Sequence, residues 1–280
     1  MSLIEADDLQ KRFGDVVAVD DLSFGVGAGE IVGLLGANGA GKTTTMRMLL
    51  GLLAPSSGTA RIAGESVLEV DRRTMGYVPQ GLGLYSELTV AENIEFAAAA
   101  FGARVPSLAS EGIEHIADRR VGEIPLGLRR RVAFVAARCH RPDVLILDEP
   151  TSGVGPLGRA RLWDTIHGAA DQGAAILVST HHMEEAEECD RVILMAAGRM
   201  VARGPVSDIV GGSTSVFIEG KVSDDLVERL TGDGGTVLVD RLGWRVVGLG
   251  ADDVRALVGP SVHVDVVPAT FEETFVSLSS

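Results

Sequence analysis

The clearest chemistry in the chain lies in Gly36-Ala37-Asn38-Gly39-Ala40-Gly41-Lys42-Thr43, which fits the pattern GxxxxGK[ST]. Glycines at this spacing let successive backbone N–H groups converge on one concave nest. A helix starting there adds a positive partial charge at its N-terminus. In such a nest Lys42 reaches the β- and γ-phosphates of a nucleotide, the Thr43 hydroxyl is a ligand for Mg²⁺, and Thr44 completes the phosphate-facing turn. Lysine occurs only at Lys11, Lys42 and Lys221, so no lysine-rich background produces the match.

A second chemical element lies about a hundred residues on, at Val144-Leu145-Ile146-Leu147-Asp148-Glu149. An apolar run ends there in two carboxylates. Asp148 is placed to hold Mg²⁺ through water, and Glu149 to polarise an attacking water. A strand ending in Asp-Glu is common, and it gains meaning only from the phosphate loop upstream.

These groups can meet only if strands deliver them to one edge. The apolar run 31–35 precedes the glycine loop and a helical pattern follows it over 42–50, the context that the motif requires. Runs 144–147 and 175–179 read as parallel strands buried on both faces. Further strands are expected at 3–5, 16–19, 59–62 and 76–78, and helices at 90–100, 129–138 and 158–170. Strands alternating with helices imply an α/β core. Small residues at Gly211-Gly212-Ser213-Thr214 suggest a linker, dividing the chain into 1–212 and 213–280. Beyond it the pattern reads βαββαβ, a small α+β ferredoxin-like unit with a hairpin at Arg241-Leu242-Gly243 and a last helix over 271–278.

Composition sets the limits. The chain has 280 residues, 46% hydrophobic and 23% charged, an ordinary globular balance. Its formal charge of −14 argues against holding nucleic acid by bulk electrostatics. Mean hydropathy is +0.23, yet every apolar run is strand-sized and far below the roughly 18–20 residues of a spanning helix. The acidic start at Met1–Asp8 does not read as a secretion signal. Cys139 and Cys189 belong to no metal-binding spacing and read as reduced, packed thiols.

With these blocks in view, residues 3–212 resemble the ATP-binding cassette of ABC transporters, a P-loop NTPase fold with a mixed sheet and a small helical subdomain. Gln10-Lys11-Arg12-Phe13-Gly14 is similar to the segment whose aromatic ring stacks on adenine, which implies that role for Phe13. Gly76-Tyr77-Val78-Pro79-Gln80 resembles the Q-loop, implying that Gln80 contacts Mg²⁺ and the attacking water. Ser179-Thr180-His181 resembles the switch segment, implying that His181 touches the γ-phosphate. The stretches LLGANGAGKTTTMRMLLGLLAPSSG, LTVAENI, HHMEEAEECDRV and the ending Thr270-Phe271-Glu272-Glu273-Thr274-Phe275 resemble the ABC-2 type export ATPases, including antibiotic-resistance exporters. The resemblance implies ATP and Mg²⁺ as ligands, a separate membrane subunit and a second cassette as partners, and a place on the cytoplasmic face of the cell membrane.

Three segments depart from that family. Where it has Leu-Ser-Gly-Gly-Gln, this chain has Ile124-Pro125-Leu126-Gly127-Leu128. Pro125 brings neither hydroxyl nor N–H, and Leu126 puts an isobutyl group where bare backbone should pass a partner's γ-phosphate. Gly155 stands where the family usually has Asp. Residues 102–119 are shorter than the usual helical subdomain. Both altered loops act on the opposite subunit's site, while every residue acting in its own site is present. The pattern therefore implies an exporter ATPase, with a slow regulatory cassette as the second reading, and a heterodimer slightly ahead of a homodimer. A soluble cassette protein acting on ribosomes or DNA would bring a second cassette, a coiled-coil insertion or a basic surface, and none is visible. An unrelated P-loop kinase would lack Gln80 and His181 at these places.

Overall fold

The computed structural model describes residues 2–220, 223–239, 243–259 and 262–279. They form two compact units, residues 1–200 and 201–280.

In the first unit, β1 (Ser2–Phe13) and β2 (Val16–Gly27) form a long antiparallel hairpin. β3 (Ile31–Gly36) leads through the glycine loop into α1 (Lys42–Leu49), and β4 (Ser57–Ile62) and β5 (Glu65–Ser66) follow. Next come β6 (Met75–Val78), α2 (Val90–Ala100), α3 (Leu126–Arg138), β7 (Val144–Asp148), α4 (Pro156–Asp171), β8 (Ala175–Thr180) and β9 (Arg191–Ala196), and β10 (Arg199–Gly204) carries the chain out of the unit. One sheet has the order β2-β1-β4-β5 and the other β10-β9-β3-β8-β7-β6. Neighbouring strands from β9 to β6 pair in parallel.

Every residue of β3, β7 and β8 is buried, which explains their unbroken apolar runs. β1 and β2 outrun the short strands expected at 3–5 and 16–19. Acidic pairs there read as loop, but the ladder absorbs them in irregularities, with Asp8 and Asp21 at φ +46° and +52°. α2 starts with a reciprocal cap between Thr89 and Glu92. α3 begins at Leu126, three residues before the expected start, because Pro125 is tolerated just outside a helix. The shortened stretch 102–119 folds into turns and one 3₁₀ segment around the buried Ile113 and Ile116.

The second unit holds α5 (Val206–Val210), β11 (Thr214–Glu219), α6 (Asp224–Gly232), β12 (Thr236–Val239), β13 (Gly243–Val247), α7 (Ala251–Val258), β14 (Val264–Pro268) and α8 (Phe271–Ser279). The βαββαβ order holds, with sheet order β12-β13-β11-β14, all antiparallel. The Arg241-Leu242 turn lies outside the described residues. The Gly211–Thr214 stretch lies within this unit, since α5 before it packs on α8 at the chain's end. Both cysteines are free thiols, and burial pushes Cys189 up to about 12.

The Thr270–Phe275 motif has a local structural reason. The Thr270 N–H donates to Glu273 Oε2 (2.8 Å), and the Glu273 N–H donates to Thr270 Oγ1 (3.2 Å). Arg245 Nη1 on β13 donates to the same buried carboxylate at 3.2 Å. Replacing Glu273 with Ala uncaps α8 and removes the buried carboxylate that meets Arg245. We expect a loss of about 3 kcal/mol from the second unit, read by urea denaturation. An unchanged midpoint would contradict this role.

Candidate functional site

Parallel pairing sets three strand ends side by side. Leu35 on β3 lies opposite Thr180 on β8, and Asp148 on β7 opposite Ser179 on β8. The glycine loop, the carboxylate pair and the segment of His181 all leave the sheet at this edge.

The loop is pressed between neighbours. Gly41 has φ +103°, and a Cβ there would lie 2.5 Å from the Ala18 carbonyl of β2. Left-handed backbone and that close approach both demand glycine. Ala37, Asn38 and Gly39 form the exposed rim, while Gly36 and Ala40 are buried. Lys42 is 5% exposed, and its Nζ donates to the Gly36 and Ala37 carbonyls at 2.7 and 3.1 Å. An ammonium has three donors, so one remains for a ligand. Burial pushes the Lys42 pKa below its ordinary value, against the opposing charges of Glu149 and Asp148.

Thr43 and Thr44 follow in the first turn of α1. Thr43 Oγ1 lies 3.4 Å from Asp148 Oδ1, which also accepts from Ser179 Oγ at 2.6 Å. A hydroxyl facing a buried carboxylate is a hard oxygen pair that fits Mg²⁺. Among the described residues no cluster of three His, Cys, Asp or Glu side chains could cage a metal by itself.

Glu149 has φ +49°, a left-handed conformation that costs a non-glycine residue about 1–2 kcal/mol. Three contacts hold it. Its N–H donates to Ser179 O (3.1 Å) and to Ser179 Oγ (3.0 Å), and its carbonyl accepts from Arg130 Nη1 (2.7 Å). The carboxylate then meets Gln80 Nε2 at 3.3 Å and His181 Nδ1 at 3.3 Å. Local strain of this kind at a functional group fixes its direction.

Thr43, Asp148, Ser179, Glu149, Gln80 and His181 thus form one run of contacts, and the buried Lys42 stands beside Thr43 at the start of α1. Phe13 ends β1 and is 51% exposed, so it is not a core residue; the Lys11 ammonium stands 5.2 Å from its ring centroid. Pro125, Leu126, Gly127 and Leu128 are not part of that run. Pro125 is the N-cap of α3 and offers no side-chain cap. The Leu128 N–H donates to the Pro125 carbonyl, leaving the Leu126 and Gly127 N–H groups as the open donors of the first turn. Leu126 Cδ2 lies 2.9 Å from where a Cβ of Gly153 would stand, so the two altered loops touch. Open space surrounds the Cβ position of Gly155.

Sequence reasoning passed over two residues. Ser179 fastens the Asp148 carboxylate and the Glu149 backbone N–H, yet a Ser at the end of an apolar strand gives no signal of it. Arg130 is 6% exposed, and in the triplet Arg129-Arg130-Arg131 it reads as one more solvated charge.

The sequence profile described as ABC transporter matches residues 19–152. The probable multidrug ABC transporter ATP-binding protein YbhF of Escherichia coli K12 is 42% identical over 225 residues, covering 76% of this chain and 39% of that protein. The chain thus spans about two fifths of the length of that relative. The Nod factor export ATP-binding protein I of Burkholderia lata is 40% identical over 237 residues, covering 80% of this chain and 75% of that protein. Among solved structures, an ATP-binding subunit of an ABC transporter matches with TM-score 0.68 and 28% identity over 92% of this chain and all of that one (100%). The cbiO1 protein of Clostridium perfringens, part of the cbiONQ complex, matches with TM-score 0.67 and 26% identity over 75% and 91% of the two chains. A glycine nest at one strand end, paired carboxylates at the next and these similarities lead to one conclusion: the chain belongs to the ABC transporter family, among its ATP-binding proteins.

Proposed function

We propose that this chain is the ATP-hydrolysing subunit of an ABC-type exporter and drives a separate membrane subunit through ATP-dependent pairing with a second cassette. The observation that carries this reading is the contact run from Thr43 to His181 on adjacent strand ends, with the buried Lys42 beside it. Backbone N–H groups of residues 36–44 cradle the phosphates, and Lys42 neutralises the bridging charge. Thr43 and Asp148 would hold Mg²⁺, which when bound would supply Lewis acidity to the phosphates. Glu149, aimed by Gln80 and His181, accepts a proton from water as the water oxygen bonds to the γ-phosphorus and ADP departs. Phe13 offers a π-face to adenine.

A groove of about 420 Å³ supports the membrane partner. Tyr77, Leu82, Tyr85, Phe96 and Phe101 are among its walls, and Tyr85 and Phe96 are each 53% exposed. An apolar helix seated there would touch the segment that ends in Gln80, which couples docking to the site. That partner places the chain on the cytoplasmic face of the membrane.

Leu126 packed on Gly153 favours a second reading for the opposite site, that of a slow or regulatory cassette. A partner's γ-phosphate would meet an isobutyl group where the family presents a hydroxyl and bare backbone. A heterodimer with a cassette of unaltered signature would retain one good site, built on this chain's Lys42 and Glu149. A homodimer would carry two weakened ones.

Replacing Lys42 with Ala removes the cation of the nest, and ATP should then no longer raise the thermal midpoint. A preserved shift would displace the site. In Glu149→Gln, ATP should still stabilise the chain while turnover with its partners falls about a hundredfold or more. Parental turnover would move the role elsewhere. The double change Pro125→Ser with Leu126→Gly should raise the ATPase rate of the isolated chain about tenfold by restoring donors and removing the block. Fast hydrolysis by the unchanged chain, unaltered by this repair, would show that the signature is competent as it stands.

A further inference from the structure

Behind Glu149 lies a buried charged cluster that the reaction as described does not use. Glu185 is 1% exposed, on the 3₁₀ turn Met183–Glu188 that follows His181. Its Oε1 accepts from the hydroxyl of Thr151, itself 1% exposed, and lies 3.6 Å from Arg159 Nε on α4. Arg130 on α3 is buried nearby, and burial pushes its pKa down against the charges of Glu149 and Glu185.

The cluster is held by charge more than by aligned hydrogen bonds. Among the described residues, seven buried side-chain polar atoms make no hydrogen bond, and three are here: Arg130 Nε, Arg159 Nε and Glu185 Oε2. Concentrating such atoms in one place is costly unless the charges hold something. What they surround is the left-handed turn at Glu149. Arg130 donates to the Glu149 carbonyl, the Ser152 N–H donates to the same carbonyl (3.2 Å), and Thr151 ties the next residues to Glu185. Without Glu185, Arg130 keeps only the Glu149 carboxylate itself as a nearby counter-charge, and would draw it away from the water it must polarise.

We propose that Glu185 is a positioning residue for Glu149: through Thr151 and Arg130 it holds the strained turn that aims the catalytic carboxylate. It also joins the altered loops to that carboxylate. Arg130 lies one turn beyond Pro125–Leu128 on α3, and Arg159 one turn beyond Gly155 on α4. The proposal rests on the reading of Glu149 as the group that activates water.

Two readouts test it on Glu185→Gln, which keeps the side chain's shape and loses its charge. The first is hydrogen exchange of the isolated chain, comparing peptides over 147–155 with peptides over β1 and β2. Exchange over 147–155 should rise about tenfold while β1 and β2 stay unchanged. The second is ATPase activity with the cognate partners. There kcat should fall about tenfold with KM for ATP held within about twofold, and on the Glu149→Gln background the change should remove no further rate. Thr151→Val, of equal shape without the hydroxyl, should move both readouts in the same direction and serves if Glu185→Gln folds poorly. Parental exchange over 147–155 in the folded variants would overturn the proposal, as would a loss of kcat that adds fully to that of Glu149→Gln. If no partner elicits ATP hydrolysis, the exporter reading fails, and the exchange result still decides the role of Glu185.

Discussion

Three buried parallel strands have no place to present a polar group until they end. β3, β7 and β8 are apolar along their length because helices and the second sheet cover both faces, and their register fixes Leu35, Asp148 and Thr180 near one edge. The phosphate nest and His181 lie just beyond the ends of β3 and β8, and the carboxylate pair straddles the end of β7. A one-residue slip between β7 and β8 would part Asp148 from Ser179 and loosen both carboxylates at once.

Electrostatics at this edge is balanced with little surplus. One buried ammonium, Lys42, faces two buried carboxylates, and its own burial works against its charge. A phosphate ligand would bring negative charge that Lys42 alone cannot offset, which leaves a share of it to the backbone N–H groups of the loop. The same reasoning explains Arg130, a second buried cation whose guanidinium holds the Glu149 carbonyl rather than a carboxylate. Charge near Glu149 is thereby fixed without neutralising the carboxylate.

The parts of this site that were legible in the sequence are those carried by backbone rules. Glycines at Gly36, Gly39 and Gly41 announce a turn that only they can make, and an apolar run broken by Asp148-Glu149 announces a buried strand's end. The parts that were not legible depend on which charges are buried. Arg130 and Glu185 stand in runs of like-charged residues, Arg129–Arg131 and Glu184–Glu188, which read as solvated faces. Tertiary packing selects one member of each run. The lengths of β1 and β2 were hidden for a related reason: Asp7-Asp8 and Asp20-Asp21 resemble loop residues, and only the bulged pairing of the hairpin accommodates them. Residues 270–275 were recognisable as a pattern, but their role in capping α8 on Arg245 needed the structure.

The central claim is that one chain supplies a complete nucleotide half-site while its partner-facing loops are altered. Calorimetric titration of the isolated chain with ATP, with and without Mg²⁺, addresses this most directly. We expect one nucleotide per chain, bound without any second cassette and more tightly when Mg²⁺ is present. Binding that appears only after a second cassette is added, or that ignores Mg²⁺, would contradict it.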